Sequence, residues 1–211
     1  MGNKKEQVYE QLRNQIISCQ LQPGLPINEA VFAEKFGVSK TPVREAIRQL
    51  EREGLVSSIS GRGSIISFIS SRDIFEIFEI REIMECGAAQ QAASLIHKEE
   101  LVKKREELIR MKDEINGSIE KHNWDFCDDI HLEIIRQVGN RRLLRMYQEV
   151  LDTIERIRNN FGHRFTERRL EDIIEEHITL LDAVLSGHGD LAQERVRQHL
   201  KNGYTYVKSL T

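Results

Sequence analysis

This chain changes its residue period once, and that change limits the folds open to it. Leu55-Val56-Ser57-Ser58-Ile59 and Ser64-Ile65-Ile66-Ser67-Phe68 are short β-branched runs flanking Ser60-Gly61-Arg62-Gly63. Such runs around a glycine-bearing loop predict a β-hairpin. Elsewhere the spacing is helical. Tyr9, Leu12, Ile16 and Ile17 predict a first amphipathic helix, ended by Gln22-Pro23-Gly24. A short helix from about Asn28 has Val31, Phe32, Ala33 and Phe36 as its expected buried set and stops at Gly37. Ser39 is expected to cap a third helix, with Lys40, Thr41 and Pro42 in its first turn, where Pro42 removes no intrahelical hydrogen bond. Val43, Ala46, Ile47 and Leu50 form that helix's inner face, Arg44, Arg48 and Arg52 an outer one, and Gly54 closes it.

Helix, helix, helix, hairpin is the order of a winged helix-turn-helix. After Ser70-Ser71-Arg72-Asp73 the pattern stays helical, with helices expected at about 73–95, 98–119, 124–137, 141–160, 167–186 and 190–207. Asp190, with Gln193 three residues on, reads as a capping-box variant for the last. The expected fold class is mainly α: an N-terminal winged helix-turn-helix plus a C-terminal all-helical bundle of about six helices, divided as 1–69 and 74–211. With 3 prolines and 13 glycines, a fibrous or low-complexity chain is excluded. Cys19, Cys86 and Cys127 are odd in number and lie far apart, so neither a disulfide framework nor a zinc ribbon follows. The first residues lack the apolar run of a signal peptide, and no stretch approaches the ~18 apolar residues of a membrane span, so a cytoplasmic protein is expected.

A net charge of −3 argues at first sight against a nucleic-acid partner. It is a sum of opposites. Residues 1–69 carry 9 Lys/Arg and 7 Asp/Glu, the remainder 22 and 27, so a mildly basic head sits on an acidic body. The segment Gly37-Val38-Ser39-Lys40-Thr41-Pro42-Val43-Arg44 suits DNA: a tight turn delivers a helix N-terminus whose N–H groups and dipole favour a phosphate. Ser39 and Thr41 add hydroxyls. Lys40 and Arg44 stand one turn apart, and Arg44 has the two-donor fork that matches guanine in the major groove. Gly61 and Arg62 form the hairpin tip, within reach of the backbone or minor groove. A solvated amphipathic face with Glu45, Glu51 and Glu53 is the alternative for the third helix taken alone.

The run Ala33-Glu34-Lys35-Phe36-Gly37-Val38-Ser39-Lys40-Thr41-Pro42-Val43-Arg44-Glu45-Ala46-Ile47-Arg48, with Gln22 to Glu29 upstream and Glu53-Gly54-Leu55-Val56 and Gly61-Arg62-Gly63 downstream, resembles the signature of GntR-type bacterial transcription regulators. The resemblance implies Ser39, Lys40, Thr41, Arg44 and the wing tip as DNA contacts, with Arg48 on phosphate. The family usually has Arg where this chain has Lys40, which makes a two-pronged contact a point-charge one. It also implies a homodimer on a palindromic double-stranded DNA operator.

Three of the seven histidines sit on three different predicted helices: His131, His177 and His199. Cys127 and Asp128 precede His131 by four and three residues and share its helix face. Spacing alone admits either scattered surface histidines or one converging N/O site for a divalent ion such as Zn, Ni or Mn. Residues 74–211 resemble the FadR-type ligand-binding domain called FCD, through Phe75 to Arg81 and Glu85, Ile130-His131, Gly139-Asn140, His177, Ala183, Ala192 and His199-Leu200. That resemblance implies a metal held by Asp-x-x-x-His plus two later histidines, matched here by His131, His177 and His199. The expected aspartate position is Cys127, leaving a thiolate, Asp128, or water or ligand as the fourth donor. Arg81 is either a salt-bridge partner or an anion clamp for an effector carboxylate. Trp124, Phe126 and Met146 are candidates to line the cavity or to pack in the core.

The expected function is a ligand-responsive, DNA-binding transcription regulator and not an enzyme, with a small organic acid bound at or near a metal in the helical domain. The alternatives are a metal-dependent hydrolase with a winged-helix appendage, or an architectural DNA-binding protein whose helical part only dimerises.

Overall fold

The computed structural model describes residues 4–61, 63–114 and 125–211. Arg62 and Trp124 lie outside the described residues, as do the side chains of Phe126, Cys127 and Asp128. The chain forms two compact units. One runs through Ser70 and takes in Glu155–Asn160; the other comprises Ser71–Ile154 and Phe161–Thr211.

The first unit has α1 (Lys4–Ile17), β1 (Pro26–Ile27), α2 (Glu29–Phe36), α3 (Lys40–Arg52), β2 (Val56–Ile59) and β3 (Gly63–Ile66). Helices α1 and α3 pack through the apolar stripe each carries, with Leu12, Ile16, Val43, Ala46 and Leu50 at its sealed centre. The strands make an antiparallel sheet in the order β1-β3-β2, pairing Val56 with Ile66 and Ile59 with Gly63. Gly61 and Gly63 both take positive φ, which is what the tight hairpin requires. Strand β1, pairing Pro26 with Ile65, was not expected from the sequence; a proline there is tolerated because β1 is an edge.

Gly37 ends α2 with φ 63°, and the Val38 amide then donates to the Ala33 carbonyl at 3.0 Å, producing the turn into α3. Ser39 occupies the N-cap position of α3, but its hydroxyl makes no capping bond, contrary to expectation. Val31 is a second correction: it is 56% exposed, while Phe32 and Ala33 are buried.

The second unit is helical: α4 (Ser71–Ala93), α5 (Glu99–Glu114), α6 (Asp125–Gln137), α7 (Arg141–Phe161), a 3-10 turn at Gly162–Arg164, α8 (Glu167–Leu185) and α9 (Gly189–Ser209). Among the described residues the mainly α fold, with a winged hairpin and six C-terminal helices, is thus the one expected, and strand β1 is the addition. Ala88, Ala89, Ala92 and Ala93 on α4 let α9 approach closely with Ala192, Val196 and Leu200. Asn140 caps α7, its Oδ1 accepting from the amides of Arg142 and Leu143. Thr166 caps α8. Asp190 does not cap α9; His188 holds that position, and Asp190 accepts from Gln90 instead. Met146, proposed for a cavity wall, is 60% exposed. No helix among the described residues is long and apolar enough to cross a membrane.

Candidate DNA-reading surface and metal centre

Burying Val43, Ala46, Ile47 and Leu50 fixes the rotation of α3 and turns its charged side outward. Lys40, Thr41, Arg44 and Arg48 lie on this exposed or half-exposed side, next to the uncapped Ser39. Lys40, Arg44 and Arg48 all act on the carboxyl of Glu29, the first residue of α2, so three cations share one face. Pro42 has no N–H, so the amides of Lys40 and Thr41 are the ones the first turn of α3 offers a phosphate. Gly61 is exposed at the wing tip.

In the helical unit, the imidazoles of His131 on α6, His177 on α8 and His199 on α9 converge. Each ring offers one nitrogen, and the three nitrogens lie within 4.8 Å of one another. Ring centroids are 4.4–5.0 Å apart, and Nε2 of His131 stands 3.0 Å from Nε2 of His177. All three residues are buried. Carboxylates stand behind two rings. Glu85 Oε2 on α4 faces His131 Nδ1 at 2.7 Å, and Glu176 Oε2 faces His199 Nδ1 at 2.7 Å. Glu85 Oε1 in turn accepts from Arg81 Nε at 2.7 Å and from the Tyr147 hydroxyl at 2.8 Å. Glu176 accepts from Arg169 and Asn202. His177 Nδ1 is buried without a well-formed hydrogen bond.

Burial favours the neutral forms of His177 and His199. It lowers His177 well below the usual imidazole range, helped by the charges of His199 and His131. It also brings His199 down to about 4, against the pull of the Glu176 hydrogen bond. Burial would raise Glu85, yet Arg81 and His131 hold its carboxyl well below the ordinary range. Glu176 is likewise held at about 2, the His199 and Arg169 hydrogen bonds outweighing burial. Neutral rings with a proton at Nδ1 toward a carboxylate present bare lone pairs at Nε2.

Two families match the sequence. Residues 4–66 match the family described as bacterial regulatory proteins, gntR family, and residues 76–202 match the FCD domain. The chain belongs to the GntR family of regulators, with an FCD domain. It is 30% identical over 205 residues to the HTH-type transcriptional regulator YdhC of Bacillus subtilis (strain 168), covering 96% of this chain and 90% of that one. It is 27% identical over 198 residues to the HTH-type transcriptional repressor RspR of Escherichia coli (strain K12), covering 93% and 85%. Among solved structures, E. coli McbR/YncC superposes with a TM-score of 0.76 at 20% identity over 100% of this chain and 99% of that one, which shows the shared fold. The protein is therefore a DNA-binding transcription regulator and not an enzyme.

The histidine cluster of this regulator fits a metal. Two nitrogens bound at about 2.0–2.1 Å to one ion stand about 2.9 Å apart at a right angle and about 3.4 Å apart at a tetrahedral angle. The 3.0 Å between the Nε2 atoms of His131 and His177 falls in that range. Two buried lone pairs facing each other at that distance repel unless a cation or proton lies between them. Carboxylates behind ligand rings fix tautomer and orientation at metal centres generally. Sequence reasoning named the three histidines but missed Glu85, Glu176, Tyr147, Arg169 and Asn202. The i, i+4 pair Arg81 and Glu85 and the doublet Glu175-Glu176 beside His177 were the available signals. Arg81 is buried in its pair with Glu85, with its guanidinium over the Phe78 ring.

Proposed function

We propose that this regulator acts in the cytoplasm as a homodimer on a palindromic operator, and that it responds to a small organic acid bound at a divalent ion in the helical unit. Ser39, Lys40, Thr41, Arg44, Arg48 and the wing tip at Gly61 and Arg62 meet DNA. Phosphates take the first turn of α3, Lys40 and Arg48, while Arg44 reads a base. His131, His177 and His199 hold the ion (Zn, Ni or Mn), with Asp128, Cys127 or solvent as a fourth donor. A bound ion of this kind supplies an open position for a carboxylate. The protein's own groups do the rest: Glu85 and Glu176 keep the rings aimed, Arg81 sets the charge of Glu85, and burial keeps the His177 and His199 imidazoles neutral.

The convergence of three buried imidazoles with carboxylates behind two of them carries this reading. An effector that binds one arrangement of the dimer better than another shifts the population of reading heads placed for the operator. Elemental analysis of the purified protein, with His131→Ala as control, tests the ion: one equivalent per chain is expected, and none in the variant. Operator titrations with and without candidate carboxylates test the response, and an affinity that no carboxylate moves would overturn it.

A further inference from the structure

Helix α2 holds Arg44. The Glu29 carboxylate takes one side of the Arg44 guanidinium: Nε donates to Oε1 at 2.9 Å and to Oε2 at 3.2 Å, and Nη2 donates to Oε2 at 2.7 Å. Asn28 fixes the start of α2, its Oδ1 accepting from the Ala30 amide at 2.9 Å, so Glu29 sits at a defined point of the first turn. The side chains of Arg44 and Glu29 are 52% and 32% exposed, so the pair adds little to stability. Its effect is directional. A guanidinium carries five N–H donors in a rigid plane. Glu29 occupies the Nε hydrogen and the Nη2 hydrogen beside it. The end-on fork, made by Nη1 and the outer Nη2 hydrogen, stays open. That fork matches the O6 and N7 acceptors of guanine.

We propose that Glu29 is a positioning residue for sequence reading: it turns Arg44 end-on, so that the outer fork meets guanine in the major groove instead of wrapping a phosphate. The proposal rests on the reading that Arg44 meets a base. Two features make Glu29 selective in this role. Its carboxylate anchors an otherwise flexible side chain. It also places a negative charge where a phosphate would otherwise compete for the arginine. Lys40 and Arg48 remain for the backbone contacts.

The test uses the full-length protein and its Glu29→Asp, Glu29→Ala and Arg44→Ala variants. Each is taken through selection from one random duplex library. Each is then titrated against the wild-type winner, with its half-site guanine replaced by the other bases and by 7-deazaguanine, and against random duplex. Melting curves matching wild type keep folding out of the comparison. Glu29→Asp keeps the charge but shortens the reach; guanine discrimination is expected to fall about tenfold while random-duplex affinity stays within twofold. Glu29→Ala should show the same loss and bind random duplex several-fold tighter. Wild-type discrimination in Glu29→Asp overturns the proposal, and so does an equal loss on specific and random DNA. Arg44→Ala should select no guanine at that position; if it keeps one, the assignment of Arg44 as base reader fails instead.

Discussion

Glu85→Gln perturbs the proposed metal centre without changing its shape. The glutamine carbonyl still accepts from Arg81 and Tyr147, as Oε1 does now. Its amide then points N–H donors at His131 Nδ1, where Oε2 stands at 2.7 Å. The ring must accept there, so its proton moves to Nε2, the nitrogen that faces His177. Carboxylates behind ligand rings are generally worth 10–100-fold in metal affinity, or about 1.4–2.7 kcal/mol. The tautomer change puts this substitution at the upper end. Stability falls separately. Glu85 is sealed from solvent and Arg81 nearly so, and removing one charge of a buried pair costs about 3 kcal/mol or more. The helical unit has roughly 135 residues. At about 2.1 cal/mol/K per residue its unfolding entropy is near 0.28 kcal/mol/K, so the metal-free unit should melt about 10 °C lower. Calorimetry of the metal-free protein and zinc titration against a competing chelator measure the two effects. The transition of the DNA-binding unit serves as internal control. Zinc affinity within threefold of wild type, or a melting shift under about 3 °C, would refute the role given to Glu85.

Other substitutions test the head. If Lys40 and Arg48 of both heads each neutralise one phosphate, log affinity should fall with log salt at a slope near −3.6, about 150-fold between 50 and 200 mM; Lys40→Gln should flatten the slope by about 1.8. An unchanged slope in that variant would remove Lys40 from the backbone contacts. Tyr9 is pushed up to about 12, by burial first and then by the Glu53 carboxylate that its hydroxyl bonds. The unfolded chain ionises near 10, so this stabilisation is whole below pH 10 and drains away as pH rises to 12. Tyr9→Phe should therefore flatten the alkaline fall in the head's melting temperature, and parallel curves for the two proteins would count against it. Leu50→Ala, at a fully sealed site on α3, should cost about 2–5 kcal/mol and abolish operator binding with it; a shift under 1 kcal/mol would show that the α1–α3 seam is not the core of the head.

Helix positions could be read from the chain because apolar spacing and glycine punctuation are local signals; the trio of histidines came from the likeness to the FCD pattern, since spacing alone left scattered surface histidines open. The groups behind the rings could not. Glu85 meets His131 from another helix, and Tyr147 reaches Glu85 across 62 residues. No pairwise spacing marks such partners; only the packing of α4, α6 and α7 selects them. Asp190 misled for a related reason. It has the right residues for a capping box, yet Gln90 from α4 offers it a tertiary hydrogen bond and His188 takes the cap position. Strand β1 is too short for any period to show. Nothing in the local sequence pairs Glu29 with Arg44, fifteen residues on; only the approach of α3 to α2 does.

The buried set also bears on why the helical unit carries charge at all. Arg81, Glu85, His131, His177 and His199 lie in the interior, with Glu176 half-buried behind His199, in a unit whose neighbouring core is alanine, leucine and isoleucine. Well-packed apolar residues of similar volume commonly stabilise a fold as well as a buried ion pair does, or better. Gathering three buried imidazoles, with burial holding His177 and His199 neutral, adds a further desolvation cost. Such an arrangement pays its way only if something binds it: a ligand that occupies the folded site and not the unfolded chain stabilises by RT ln(1 + [L]/Kd), about 2.7 kcal/mol at one hundred times Kd. That is comparable to the loss worked out for Glu85→Gln, so binding an ion and keeping the carboxylate behind His131 are matched contributions. The metal-free unit should accordingly be the looser state, and the two carboxylates, which set the direction of the rings, should govern how tightly the ion closes it.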